Sequence, residues 1–356
     1  PKPLPRRRPT ERRPRRTLRL PGHVRPATIE LELELDPRAA RYSGRARYQL
    51  TLSRRCPMIE LHCAELAVSD VHLDAEGLSL AGRVEAHPEC ETIVLRFDRI
   101  VPAGQIRLDL RFRGRVRSDL RGLYRSSDRE APWLASQLCP TDARRLFPCF
   151  DEPGIKARYA LRVTAPADQV VIANSPIASE EEPPGSARPG PSNRGAPLRK
   201  RTTFETTPPL SAYLLAVAVG PFEVSRVARC GDTPIRVVTL PGKQPLARFA
   251  RRAAVASLER LERWFGMPHP YRKLDLVALP DFAFGAMENA GAVFFRDSVL
   301  LIDERDASAS ERLRAAETIA HELAHMWFGN LVTMAWWNDL WLNESFATWM
   351  AYVIVD

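Results

Sequence analysis

A chain of 356 residues, 45% of them hydrophobic and 27% charged, is long enough for two domains and apolar enough to give each a core. No apolar run approaches the ~20 residues of a membrane-spanning helix, and no stretch near the start reads as a signal peptide. The net charge of +9 does not point to a nucleic-acid partner, because seven of the nine charges sit in residues 1–17, where eight Lys and Arg face only Glu11.

That first segment is also proline-rich and has no apolar periodicity, so residues 1–17 read as a solvated, disordered basic tail. From there to residue 208 the pattern is that of strands. Residues 28–36 alternate Ile29, Leu31, Leu33 and Leu35 with Glu30, Glu32 and Glu34, the period of a half-buried strand. Further strands are expected at 45–53, 92–98, 105–113, 158–164, 170–174 and 201–206. Residues 181–200, rich in Pro, Gly and Ser, read as a flexible surface loop. The nearly all-apolar segment 211–220 suits one strand buried on both faces.

Beyond residue 245 the period changes to that of helices. Leu246, Phe249, Ala253, Leu258, Leu261 and Trp264 form one stripe over 246–265, with Gly266 as its stop. Strands are expected at 273–279 and 292–302. Ser308 and Glu311 have capping-box spacing, which starts a helix predicted to run to about Phe328 and stop at Gly329. A last helix begins near Leu340. The predicted fold is α+β: an antiparallel β-sandwich-like domain at 18–208, then a helix-bearing domain at 209–356.

The six cysteines (Cys56, Cys63, Cys90, Cys139, Cys149 and Cys230) show neither a Cys-x-x-Cys pair nor a disulfide framework. Reduced thiols in a cytoplasmic protein are the default reading, with a Cys56–Cys63 bridge left open.

The chemistry lies in the second domain. His321 and His325 are four residues apart and share one helix face, where they can bind one Zn2+ ion together. Glu322 stands between them, within reach of a water activated by the metal, as general base. Eighteen residues separate His325 from Glu344, which places this third ligand candidate on the following helix. Three protein ligands leave a fourth position open, the arrangement of a catalytic rather than a structural zinc. His23, His62, His72, His87 and His269 lack ligand spacing and read as ordinary surface or core histidines. Trp327, Trp336, Trp337, Trp341 and Trp349 read as core packing.

Four blocks give the chain a resemblance to a known family: PTDARRLFPCFDEP at 140–153, GAMEN at 285–289, HELAHMWFGNLVT at 321–333 and WWNDLWLNESFATW at 336–349. Together they resemble the zinc aminopeptidases related to aminopeptidase N and leukotriene hydrolase. The resemblance implies a thermolysin-like catalytic domain over 209–356, incomplete, with helical domains following in the family. It implies peptide substrates with a free N-terminus. The α-ammonium would be paired by Glu288, with Gly285, Ala286, Met287 and Asn289 extended beside the substrate and Gln137 nearby. Asp142, Arg144, Asp151 and Glu152 read as structural ion pairs.

Two departures stand out. The family carries Glu or Gln two residues after the residue matching Gln137; here that position is Cys139, whose thiol is a weak hydrogen-bonding substitute. The family's oxyanion-stabilising tyrosine lies well beyond the third ligand, whereas 12 residues follow Glu344 here. The expectation is therefore a zinc aminopeptidase sequence that is C-terminally truncated, whose missing domains complete it. The alternative is a weakly active or inactive zinc-binding module. Epoxide hydrolysis is a third reading, disfavoured because leukotriene hydrolase has Gly-Gly-Met-Glu-Asn where this chain has Gly285-Ala286.

Overall fold

The computed structural model describes residues 19–128, 131–183 and 198–356. The basic tail and most of the 181–200 loop lie outside the described residues. Three sheets and four helices make up the described architecture.

The first sheet has eleven strands. Along its main path they run Ile177–Glu181, Arg199–Phe204, Lys156–Pro166, Val24–Glu34, Arg41–Leu52, Gly104–Arg115, Ala67–Ala75, Leu78–His87, Thr92–Val101 and Cys56–His62. All its pairings are antiparallel except Val24–Glu34 beside Lys156–Pro166, which is parallel. The expected alternation is seen in the first strand. Ile29, Leu31, Leu33 and Leu35 are buried, while Glu30 and Glu32 face outward to Arg47 at 3.0 and 3.2 Å. Such cross-strand charge pairs stabilise the solvent face by a few tenths of a kcal/mol each, roughly; the buried aliphatic face contributes far more.

A second sheet of four antiparallel strands joins Val170–Ala173, Val217–Gly220, Ala131–Gln137 and Gly122–Asp128. Its register is what positions the site. Ala173 lies opposite Val217, and Ala218 opposite Ala135. Asn174, Ala216 and Gln137 therefore leave the sheet at the same end. The single strand expected over 211–220 is instead two short ones. Leu210–Ser211 pairs with Lys156–Pro166, a 3-10 turn follows at Ala212–Leu214, and Val217–Gly220 then joins the small sheet.

A third, mixed sheet of six strands carries Glu223–Val224, Thr233–Thr239, Leu274–Leu279, Ala292–Arg296 and Ala286–Met287 in that order, with Ala228–Cys230 paired to Thr233–Thr239. The strand expected over 292–302 stops at Arg296, because Asp297 opens a helical turn whose Leu301 N–H bonds back to it. A longer helix, α1 (Arg248–Phe265), precedes that single turn at Asp297–Leu300 in the chain. The longer helix buries Ala250, Ala254, Ser257, Leu258 and Leu261, so its inner face is rotated from the expected stripe and Trp264 is exposed. Gly266 ends it in the left-handed conformation, as expected.

Next come α2 (Ala309–Ala324) and α3 (Leu340–Val355). The capping box forms: the Glu311 N–H donates to Ser308 Oγ at 3.2 Å, and the Ser308 N–H to Glu311 Oε2 at 2.8 Å. α2 packs against both the Arg248–Phe265 helix and α3. It ends at Ala324, four residues before the expected stop. Met326 and Trp327 tighten to i−3 bonds, and the chain then turns away. Core packing holds for Trp327 but not for Trp341 and Trp349, which lie on the outward side of α3. Among the described residues no helix is long and apolar enough to cross a membrane, and all six cysteines are free thiols.

Candidate metal centre

The last turn of α2 and the first turns of α3 bring three ligand atoms together. His321 Nε2 and His325 Nε2 are 3.1 Å apart, and Glu344 Oε2 is 3.5 Å from the first and 3.8 Å from the second. A tetrahedral zinc shell with bonds of ~2.0–2.1 Å has edges of about 3.3 Å, so the triangle has the right size. Two imidazole nitrogens at 3.1 Å need positive charge between them, either a shared proton or a cation.

The tautomers also fit. His325 Nδ1 lies 3.1 Å from the Phe328 carbonyl and donates its proton there, which leaves Nε2 with its lone pair facing the triangle. Burial, reinforced by the neighbouring His321, pushes the His325 imidazole down to about 4, so it stays neutral. His321 Nδ1 meets Thr348 Oγ1 at 3.3 Å. Glu344 and Thr348 are one helical turn apart on α3 and grip the same ring. Burial pushes the Glu344 carboxyl up, but the hydrogen bond from His321 and the electrostatic pull of the two imidazoles outweigh it and hold the carboxyl below the usual range.

Glu322 points from α2 toward the same space. Ligating atoms of Glu288, Glu322 and His325 lie within 4.8 Å of one another. Both carboxylates are buried, and among the described residues Glu288 Oε1 and Glu322 Oε2 have no hydrogen-bond partner. Burial raises the proton affinity of Glu288, with the charge of Glu344 adding to it. Glu322 is driven well above the usual carboxylate range by burial and then by Glu288 and Glu344.

Glu288 owes its place to staples from three directions. Ala286 and Met287 pair with Phe295 and Phe294 at the edge of the mixed sheet. Asn330 Nδ2 donates to the Glu288 carbonyl at 2.7 Å, and Asn289 Nδ2 to the Leu215 carbonyl at 3.0 Å. Asn174 Nδ2 donates to both the Ala290 and Leu214 carbonyls at 2.9 Å, while its Oδ1 accepts from the Ala216 N–H. The end of the small sheet is thereby fastened to the 285–291 loop. Gly291 is required there: its φ is +69°, and a Cβ would meet the Asn174 carbonyl oxygen at 2.5 Å. Gly329 has a similar role at φ +129°, where a Cβ would press to 3.0 Å on His325 Nδ1.

Gln137 leaves the small sheet at the end that Asn174 fastens to the 285–291 loop. It is buried, and neither its amide oxygen nor its nitrogen has a partner among the described residues. Cys139 follows two residues on; burial and then the charges of Glu288 and Glu344 push its thiol well up, so it is a neutral group beside two acids. Gly285 has open space above its Cα. Thus His321, His325, Glu344, Glu322 and Glu288 meet in one region, with Asn289 as a staple and Met287 in the apolar cluster beside it. Sequence reasoning missed Thr348, which the i,i+4 step from Glu344 could have signalled, and Asn174 and Asn330, which carried no such signal.

Among the other histidines, His62 accepts from the Asp151 N–H, and His269 Nδ1 lies 2.8 Å from the Tyr271 carbonyl, both in the core. Asp142 and Asp151 form ion pairs with Arg121, Arg145 and Arg144. Glu152 instead accepts from the Leu20 backbone.

Two family models match the chain: "Peptidase M1 N-terminal domain" over residues 25–214 and "Peptidase family M1 domain" over residues 249–356. The chain is similar to Aminopeptidase M1-D of Oryza sativa subsp. japonica, at 40% identity over 342 residues, 95% of this chain and 38% of that protein. It is similar to Aminopeptidase M1 of Arabidopsis thaliana, at 37% over 347 residues, 95% of this chain and 38% of that protein. Endoplasmic reticulum aminopeptidase 1 of Homo sapiens is 37% identical over 350 residues, 95% of this chain and 36% of that protein. The chain therefore spans a little over a third of the length of these relatives.

Proposed function

We propose, from the fact that this chain belongs to peptidase family M1, that its site serves a zinc-dependent aminopeptidase, which removes N-terminal residues from peptides. One observation carries the reading. Beside a ligand triangle of zinc dimensions, Glu322 Oε2, Glu288 Oε1 and both ends of the Gln137 amide are buried without partners. Each such orphan costs a fold about 1–3 kcal/mol, and a cluster of them is understandable as the template for a polar ligand.

His321, His325 and Glu344 would hold one zinc ion, which when bound supplies Lewis acidity toward the scissile carbonyl and lowers the pKa of a water. Glu322 takes the proton of the attacking water and passes it to the leaving amine. Its buried setting raises its proton affinity, which suits a group that must carry a proton between two partners. Glu288 pairs with the substrate's α-ammonium, and Gln137 adds an amide beside it. That pairing fixes the distance from the N-terminus to the metal, so that the first peptide bond is the one cleaved. The backbone at Ala286–Met287 ends the mixed sheet, which leaves an edge along which a substrate can lie extended.

The test compares leucyl anilide with N-acetyl-leucyl anilide on the zinc-loaded chain. Hydrolysis of the first only, abolished by a chelator and restored by one equivalent of zinc, is the expected result. Equal hydrolysis of the acetylated substrate would defeat the free-amine reading. One bound zinc without any hydrolysis would favour a zinc-binding module.

A further inference from the structure

We propose that Tyr213 is a substrate-binding residue, whose hydroxyl supplies a third acceptor for the α-ammonium beside Glu288 and Gln137. The proposal rests on the aminopeptidase reading above and adds a residue to it. A primary ammonium carries three N–H donors. Glu288 Oε1 and Gln137 Oε1 answer two of them, and the position that supplies a carboxylate or amide in the resembling family holds Cys139, a poor acceptor. One donor is left over.

Tyr213 is placed to take it. It lies in the 3-10 turn Ala212–Leu214, at the end of the small sheet from which Gln137 also emerges. The residues that follow it are fastened to the 285–291 loop by Asn174, through the Leu214 and Ala290 carbonyls, and by Asn289, through the Leu215 carbonyl. The ring is held edge-on by Trp337, with centroids 5.2 Å apart. Tyr213 is 1% exposed, yet its hydroxyl has no hydrogen-bond partner among the described residues. Buried phenols ordinarily find one. Burial, and then the neighbouring acid Glu288 with Cys139 and Glu344 beyond it, keep this hydroxyl protonated. It therefore remains a neutral group that can accept from the ammonium through oxygen while donating its proton to a neighbouring acid. A purely packing role would account for the Trp337 contact but not for an orphaned hydroxyl in an acidic site.

The experiment measures binding by calorimetry on the zinc-loaded full chain. The probes are leucine hydroxamate and its des-amino counterpart, 4-methylpentanohydroxamic acid, which share the zinc-binding group and differ in the amine. Tyr213→Phe should weaken the first about tenfold and leave the second within about twofold, since one hydrogen bond to a charged donor is lost. Thermal stability should hold, because the ring stays and the hydroxyl had no partner to lose. Cys139→Gln, introduced into Tyr213→Phe, should restore amine binding by returning an acceptor. Equal weakening of both probes, or of neither, overturns the assignment. Glu288→Gln separates the two levels of the argument. If it abolishes the amine preference while Tyr213→Phe keeps it, only Tyr213 falls. If both variants keep the preference, the aminopeptidase reading falls as well.

Discussion

Between Asp142 and Asp151, buried charge is answered by its neighbours. Asp142 receives Arg145 at 2.8 Å and Arg121 at 2.9 Å, Arg144 reaches Asp151 at 2.9 Å and Glu91 at 3.1 Å, and Arg145 reaches Glu91 at 2.7 Å. Around Glu288 and Glu322 the acids face one another, with an amide, a thiol and a phenol whose polar atoms are almost all unpaired. Both regions lie in stretches that carry the family resemblance. The difference teaches what each is for: a paired cluster fixes the shape of a domain, whereas an unpaired one is stable only because the surrounding fold over-determines it and is completed by what it binds.

The largest effect expected from this contrast is at Glu322. Glu322→Gln should lower turnover of leucyl anilide by about 10²–10⁴, with zinc content unchanged and thermal stability equal or higher, because a buried unpaired acid has been neutralised. Retained turnover, or a loss of stability, would erase the distinction between the two regions.

The reverse pattern is expected at Arg144. Its side chain is nearly buried and faces Asp151, which is 1% exposed. Arg144→Met should cost about 3–5 kcal/mol in denaturant unfolding, since it strands a buried carboxylate. A cost below about 1 kcal/mol would show that the paired cluster does not hold the domain.

These two sites differ in how much of them the sequence reveals. The proposed ligand triangle is legible because helical spacing is local: four residues join His321 to His325, a capping box dates the start of α2, and the next helix carries Glu344. The first strand was legible from strict alternation. Ala131–Gln137 was not, because its last five residues are all buried and show no alternation. The early end of α2 was hidden because it is set by tertiary demands: Gly329 must pass over His325, and Asn330 must reach the Glu288 carbonyl. Asn174 and Tyr213 lie far from Glu288 in the chain, and the staples that bring them there end on backbone carbonyls, which no side-chain pattern announces.

The smallest effect concerns pH, and it sharpens the contrast by exposing the weak point of the paired cluster. Asp151 Oδ1 has no partner among the described residues, and burial pushes the carboxyl up to about 6 despite the Arg144 guanidinium. An unfolded aspartate titrates near ~3.9. The folded form therefore binds its proton more tightly than the unfolded one. The stability this contributes is fully present below about pH 4 and is lost as pH rises through about 6, a decline of roughly 2–3 kcal/mol. Asp151→Asn removes the titration, so the difference in unfolding free energy between the two proteins should change by that amount between pH 4 and 7 and be flat outside it. Arg144→Met should extend the decline to higher pH, since the guanidinium that opposes the effect of burial has gone. A pH-independent difference would mean that Asp151 titrates normally and that Arg144 fully answers its charge. The unpaired atoms near Glu322 would then be the sharper signature of function, because the paired cluster would have no orphan of its own.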